Sequence, residues 1–231
     1  LYGHFLQEAE VGGDNGLAVT TLTGQAAGVK LKPADYGTPV FHHRPGVSAA
    51  GNYLLLGIEL RQIPGEGGAA EPLNLVGDVV LEIDPSAKLL HEFKLLDLLD
   101  PYRLLITDET TTFWNMEFPG LDSPAMDWSH CNSVTEDPDD GNFVVSSLAQ
   151  NWVLKIDAGT GELVWRLGPE GDFALAPGGR WSARHHGAEP TLGGRLLLFD
   201  NQPQTLPFGV RAVEYTLDTV SMVATQIWEY Q

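Results

Sequence analysis

"DWSHCNSVTEDPDDGNFVVSS" (Asp127–Ser147) sets a histidine, His130, between a turn and an apolar run with strand character. Two other stretches repeat the arrangement: "FHHRPGVSAAGNYLLL" (Phe41–Leu56) and "RHHGAEPTLGGRLLLF" (Arg184–Phe199). Eight positions separate His43 from Gly51, and eight separate His186 from Gly194. Eleven separate His130 from Gly141, the extra residues lying in the acidic turn "TEDPDDG". Each glycine leads an apolar strand: Tyr53–Leu56, Phe143–Val145 and Leu196–Phe199. Self-similarity of this kind marks a repeat architecture.

A second element follows each first one. "DVVLEIDPSAKLLHEF" (Asp78–Phe93) resembles "NWVLKIDAGTGELVWRL" (Asn151–Leu167), and "VRAVEYTLDTVSMVATQIWEY" (Val210–Tyr230) is a looser third copy. Each reads as a strand, a turn near an Asp (Asp84, Asp157, Asp218) and another strand, with the period-two alternation that strands require. One unit is then a histidine turn, an inner strand, a middle strand and a hairpin to an outer strand. Such four-stranded units stack as the blades of a β-propeller. The expected fold is therefore all-β, with three units beginning near His42, His130 and His186. Residues 1–40 form an N-terminal segment or part of a preceding blade, with "GLAVTTLTG" (Gly16–Gly24) as one piece. Residues 41–231 form one domain of blades. Three blades and a part fall short of the roughly four to eight of a closed propeller. A longer protein, or two copies paired as a homodimer, would supply the remainder.

Some segments fit the repeat poorly. "RQIPGEGGAAEPLNLVG" (Arg61–Gly77) reads as a flexible insertion, "KLLDLLDPYRLL" (Lys94–Leu105) as a short helix before Pro101, and "PEGDFALAPGGRWSA" (Pro169–Ala183) as a lid or a plain connector. Trp128, Trp152, Trp165 and Trp228 are expected to pack between blades.

The composition agrees. Among 231 residues there are 26 Gly and 15 Pro, and 43% are hydrophobic against 19% charged. The 13 Lys plus Arg face 31 Asp plus Glu, a formal charge of −18. A protein that reads a nucleic-acid backbone, or is held to anionic lipid, carries the opposite sign. An anionic substrate needs a local positive site inside this negative molecule. Cys131 is the single cysteine, so neither an intrachain disulfide nor a Cys-rich metal site forms. No apolar run is long enough for a transmembrane helix. The chain starts at Leu1 with no initiator Met and no signal-like segment, and so reads as a processed protein or a fragment.

Five of the seven histidines fall in the repeat turns: His42, His43, His130, His185 and His186. Equivalent turns of a propeller come round at one axial height, so imidazoles distant in sequence converge on a central channel. Such a group can supply a nucleophile, a general acid or base, an anion site or ligands for zinc. The alternative is that each ring braces its own turn. Register across three units favours a shared site. The "TEDPDDGN" turn lacks the alternating ligand spacing of a calcium loop and reads as a solvated acidic turn. Asn201, in "FDN", either points at the channel or caps a turn.

The ordered set "DWSHCNSV", "SS", "QNWVLKIDAGTGELVWRLG", "HH", "LLLFDN" and "RAVEY…QIWEY" resembles the bacterial arylsulfate sulfotransferases over roughly residues 40–231. The resemblance implies a six-bladed propeller that moves a sulfuryl group from an aryl sulfate to a phenol, without a nucleotide donor, cofactor or metal. It implies His186 as the transiently sulfated nucleophile and His43 as the functional histidine of the earlier His-His turn. His130 and Asn132 match the family's His-x-Asn pair that holds the sulfuryl group. His42, His185, Arg184 and Asn201 are the remaining candidates for substrate contact. Small aryl sulfates and phenols are the implied partners, and the periplasm or cell exterior the implied location. The chain departs from the pattern at Leu148, where the family carries an Arg after "SS". That position favours one alternative, a binding or scaffold propeller without chemistry; the histidine cluster itself leaves open another, a metal-dependent propeller hydrolase or lyase.

Overall fold

A computed structural model describes residues 5–8, 16–20, 26–65, 71–103, 114–121, 123–201 and 209–231. Three four-stranded antiparallel blades follow one another. The first is β4 (His42–Val47), β5 (Tyr53–Ile63), β6 (Leu73–Ile83) and β7 (Leu89–Lys94). The second is β9 (Cys131–Glu136), β10 (Phe143–Ser147), β11 (Trp152–Ile156) and β12 (Leu163–Leu167). The third is β14 (His186–Thr191), β15 (Arg195–Asp200), β16 (Arg211–Asp218) and β17 (Val223–Tyr230). Ahead of them lies a three-stranded sheet of β1 (Phe5–Glu8), β2 (Leu17–Thr20) and β3 (Ala26–Leu31). The fold is propeller-like, and the described strands do not close a ring.

Alternation along the strands explains the stacking. In β10, Phe143 and Val145 face the first blade, packing with Leu54, Leu56 and Val80, while Val144 faces the third. In β11, Leu154 and Ile156 join the first interface, and Val153 joins Trp165, Leu198 and Tyr215 in the second. A strand buried on both faces reads as a continuous apolar run. Each such side chain contributes about 1.5–3 kcal/mol by leaving water, so Val145→Asp would break the interface between the first two blades. The N-terminal sheet packs Leu17 and Leu31 against Tyr53, Leu55, Leu81 and Ile83 of the first blade.

The innermost strands differ from expectation. The Gly-led runs are the second strands of their blades, and the innermost strand starts at the histidine in the first and third blades and one residue after it in the second. The innermost strands β4 and β9 lie side by side in parallel, joined at Arg44 and Ser133. A Cβ on Gly46 would sit 2.6 Å from the Val134 carbonyl oxygen, so glycine permits this approach.

Two further readings change, and a third takes one of its two alternatives. Arg61–Ile63 and Leu73–Gly77 are paired ends of two eleven-residue strands, and not an insertion, because Arg61 is held by Glu59 (2.6 Å) and Asp97 (2.7 Å). Residues 66–70, at the tip, lie outside the described residues. Trp128, Trp152 and Trp165 pack between blades, but Trp228 is half-exposed on β17 and stacks on Tyr230. The 169–183 segment is a connector stitched to the third blade: β13 (Ala174–Leu175) pairs with β17, and Tyr215 Oη donates to the Arg180 carbonyl. The short helix is α1 (Leu95–Leu98), and β8 (Met126–Asp127) pairs with β6. Of the "GLAVTTLTG" piece, residues 21–24 lie outside the described residues.

Candidate functional site

Each innermost strand breaks register at the same place. His42 pairs with Leu56, and pairing resumes only at Gly46 with Leu54. In β9 the pairing skips Asn132, and in β14 it skips Gly187. A bulge re-aims the side chains beside it. Around these bulges His43, His130 and Arg184 hold left-handed φ angles of 56°, 43° and 49°. Such conformations cost on the order of 1–3 kcal/mol each and persist where the surroundings enforce them.

The outcome is a cluster of rings from three blades. The His43 ring lies 5.7 Å from His130 and 5.4 Å from His186, centroid to centroid. His42 stands behind His43, with their Nδ1 atoms 2.8 Å apart, and Trp114 covers the outer edge of His42 at 5.0 Å. His186 is exposed, His43 half-buried and His42 buried.

The surroundings give the rings different proton affinities. Burial works against a charged His130, but the Asp127 carboxylate, 2.5 Å from its Nδ1, and the more distant Asp78 outweigh it and raise its pKa. Burial also raises the Asp127 carboxyl above its ordinary value. Burial, with the neighbouring imidazoles, pushes His43 down to about 3. Burial first, then His130, lowers His186. The cluster therefore sets a His130 of raised proton affinity beside His43 and His186, whose affinities are lowered.

Asn132 is fully buried, and its amide is engaged with backbone. Its Nδ2 donates to the His185 carbonyl (3.0 Å), and its Oδ1 accepts from the Gly187 N–H (2.9 Å). The two bonds bracket His186. Ser133 Oγ and Thr135 Oγ1 continue the strapping, onto the Ala188 N–H and carbonyl.

The arylsulfotransferase (ASST) family model matches residues 3–231. The chain belongs to the arylsulfotransferase family. Among curated proteins none matches. Among solved structures, a protein of unknown function from Bacteroides caccae aligns over 98% of this chain and 92% of its own, at 12% identity and a TM-score of 0.35.

Against the arylsulfotransferase pattern, the geometry gathers His43, His130 and His186, with Asn132 beneath and His42 behind. Arg184 lies close enough for its charge to oppose protonation of His130. Its backbone N–H is fixed by Asn151 Oδ1 at 2.9 Å. His185 faces the interior: it is fully buried, and burial pushes it down to about 4. Asn201 follows the end of β15, half-buried beside Asp200. Leu148, where the family carries Arg, is buried, and its N–H donates to the His130 carbonyl (3.1 Å). Among the described residues no group of three His, Cys, Asp or Glu is set to share a metal ion, and no helix is long and apolar enough to cross a membrane.

The sequence reading missed Asp127 and Asp78. Asp78 is fully buried: one carboxylate oxygen accepts from Cys131 N–H (2.8 Å) and from the Ser129 hydroxyl, and the other lies 3.0 Å from His42 Nε2. A charged residue inside the apolar run "LVGDVVLEI" was the available signal. The acidic turn exposes Pro138, Asp139 and Asp140 to solvent, as expected, but its carboxylates are also engaged. Lys155 bridges Asp137 and Asp140 at 2.7 Å each, and Asp139 accepts from Gly193 and Gly194 N–H, tying the second blade to the third.

Proposed function

We propose that this chain transfers a sulfuryl group from an aryl sulfate to a phenol through an N-sulfated His186. Family membership supports an aryl sulfotransferase-like function in general. The observation that carries the finer mechanism is the gathering of three imidazole rings from three blades, at 5.4 and 5.7 Å from the central His43, with the exposed ring at His186.

A ring nitrogen of His186 attacks sulfur in line. The S–N bond forms, the S–O(aryl) bond breaks, and the bonding pair leaves on the phenolate oxygen. That oxygen takes a proton from His130, whose affinity Asp127 raises. In the second half the acceptor phenol returns a proton to His130 while its oxygen attacks sulfur, and the S–N pair goes back to His186. One acid–base group thus serves both directions, as a near-symmetric exchange requires. His43 stays neutral and accepts a hydrogen bond from the cluster. Arg184 and protonated His130 provide the local positive field that a chain of charge −18 needs to hold a sulfate monoester. Asn132 acts on this reading by holding the His186 backbone. A periplasmic or extracellular location belongs to the same proposal and rests on the family resemblance.

The test is direct. Protein incubated with an aryl sulfate should release phenol faster when a second phenol is present, and a peptide containing His186 should gain one sulfuryl group. Wild-type turnover in His186→Ala would remove His186 from the role. Leu148 favours a second reading, a binding propeller without chemistry. Aryl-sulfate binding with no turnover, even at high enzyme concentration, would select it.

A further inference from the structure

His42 Nε2 hydrogen-bonds the Gly57 carbonyl oxygen at 3.3 Å and lies 3.0 Å from Asp78 Oδ1, a buried charge contact in which that oxygen has no hydrogen-bond partner of good geometry. Only a protonated Nε2 suits both. The Asp78 carboxylate is itself held in place by the Cys131 N–H and the Ser129 hydroxyl, and the His42 contact, Ser129 and Cys131 outweigh the burial that opposes its charge. In the Nε2–H tautomer that the Gly57 carbonyl selects, His42 Nδ1 carries a lone pair. That lone pair meets His43 Nδ1 at 2.8 Å, so His43 Nδ1 must carry the hydrogen of that bond. The other nitrogen of His43, Nε2, then bears the lone pair.

We propose that Asp78 and His42 form a fixed relay that holds His43 as its Nδ1–H tautomer, leaving the Nε2 lone pair for the His130 and His186 rings. Both are positioning residues: they act through His43 and move no proton during turnover. The inference rests on the proposed sulfotransfer for its catalytic meaning, but the tautomer itself is a property of the substrate-free protein. A His43 with its hydrogen on Nε2 would offer the cluster a donor where the mechanism uses an acceptor.

Nitrogen-15 NMR of the full chain with ring-labelled histidine reads this without turnover, His43 signals being assigned by their loss in His43→Gln. The expected result is a protonated-type shift at His43 Nδ1 and a lone-pair-type shift at Nε2. The reverse pattern in the wild type overturns the relay. In Asp78→Asn, the Cys131 N–H and Ser129 hydroxyl keep the amide oxygen on their side. The amide NH2 then faces His42 Nε2, donor against donor. His43 should populate the Nε2–H form, and kcat should fall by up to about 10⁴-fold, the cost of a wrong imidazole tautomer in a serine-protease triad. An unchanged His43 tautomer in folded Asp78→Asn also overturns the proposal. His42→Phe, which removes the acceptor for His43 Nδ1–H, gives the same readout if Asp78→Asn does not fold, and the wild-type spectrum decides without either variant. The expected tautomer in a protein that never transfers a sulfuryl group would sink the proposed function and leave the relay standing. Turnover with His43 in the Nε2–H form would do the opposite.

Discussion

Replacing Asn132 with Ala should loosen His186 without touching its ring. The side chain contributes two hydrogen bonds, at 3.0 Å to the His185 carbonyl and 2.9 Å from the Gly187 N–H, and it is fully buried. Truncation leaves one buried carbonyl and one partly buried N–H without those partners. An orphaned buried group costs about 1–3 kcal/mol, so the pair should cost about 3 kcal/mol. For a chain of this size, 1 kcal/mol moves Tm by roughly 2–4 °C, which places the expected drop at about 6–12 °C. The kinetic effect comes from geometry: Gly187 sits in the left-handed region at φ 73°, and the backbone around it sets the direction of His186. A displacement of about 1 Å at a reacting group costs on the order of 10²-fold in rate. Differential scanning calorimetry and phenol release from an aryl sulfate measure the two effects. Asn132→Asp provides the control. It keeps the acceptor for Gly187 and sets a carboxylate oxygen against the His185 carbonyl, so it should recover part of the stability at most. An Asn132→Ala protein with wild-type Tm and wild-type kcat would refute the bracket.

The other predictions concern charge. Asp127→Asn removes the partner that raises His130, so the alkaline fall of kcat should move to lower pH; the contribution of a raised His pKa to stability, present below pH 6.5 and lost as pH rises through the folded value, should vanish with it. Arg184→Ala should move the same limb the other way, since Arg184 opposes protonation of His130, and should raise KM for the aryl sulfate about 10–100-fold, the loss of one charge-assisted bond of about 1.5–3 kcal/mol. A pH–rate profile separates the two signs. His185, held down to about 4, disfavours the native state as pH falls from 6.5; lowering pH from 7.5 to 5 should cost on the order of 2 kcal/mol through this residue, and His185→Phe should lose that part of the acid sensitivity in urea titrations. Arg211 is buried against Asp200 at 2.6 Å, and Asp200 in turn accepts from the Ala183 N–H just ahead of the histidine pair. Arg211→Leu should cost about 3–5 kcal/mol of stability, read by chemical denaturation, because it strands a buried carboxylate.

The blades were legible because period two and turn chemistry are local. "WVLKID" and "ELVWRL" declare strands, and three copies of one pattern declare stacking. The convergence of His43, His130 and His186 followed from that symmetry alone. What stayed hidden depends on contacts between residues some fifty positions apart: Asp78 to Ser129 and Cys131, and Asn132 to His185 and Gly187. No local rule pairs such residues. Residue type also told only part. Asn132 suggested a ligand donor, and its amide also meets backbone on both sides of His186, a role that residue type alone does not announce. The "TEDPDDG" acids suggested a solvated turn, and Lys155, on the next hairpin, neutralises two of them. The assignment of the innermost strand failed because Arg44 and Pro45 interrupt the apolar alternation of β4, which its partners nonetheless hold extended.

Repetition by itself would give three equivalent histidines, and equivalent histidines make poor acid–base chemistry, since a donor and an acceptor must differ in proton affinity. Their neighbours supply the difference. In the first blade a carboxylate two strands away, Asp78, meets His42 and leaves His43 one ring removed from the negative charge. In the second, Asp127 lies three residues before its histidine and touches it directly. In the third, His186 meets burial and a neighbouring imidazole where the other blades place a carboxylate. The fold thus fixes where the rings stand, and a few buried side chains shift their proton affinities in opposite directions. Substitutions in the repeated turns should therefore disturb position and pH dependence together, whereas changes at Asp78 or Asp127 should alter protonation while the ring spacings stay near 5.4 and 5.7 Å.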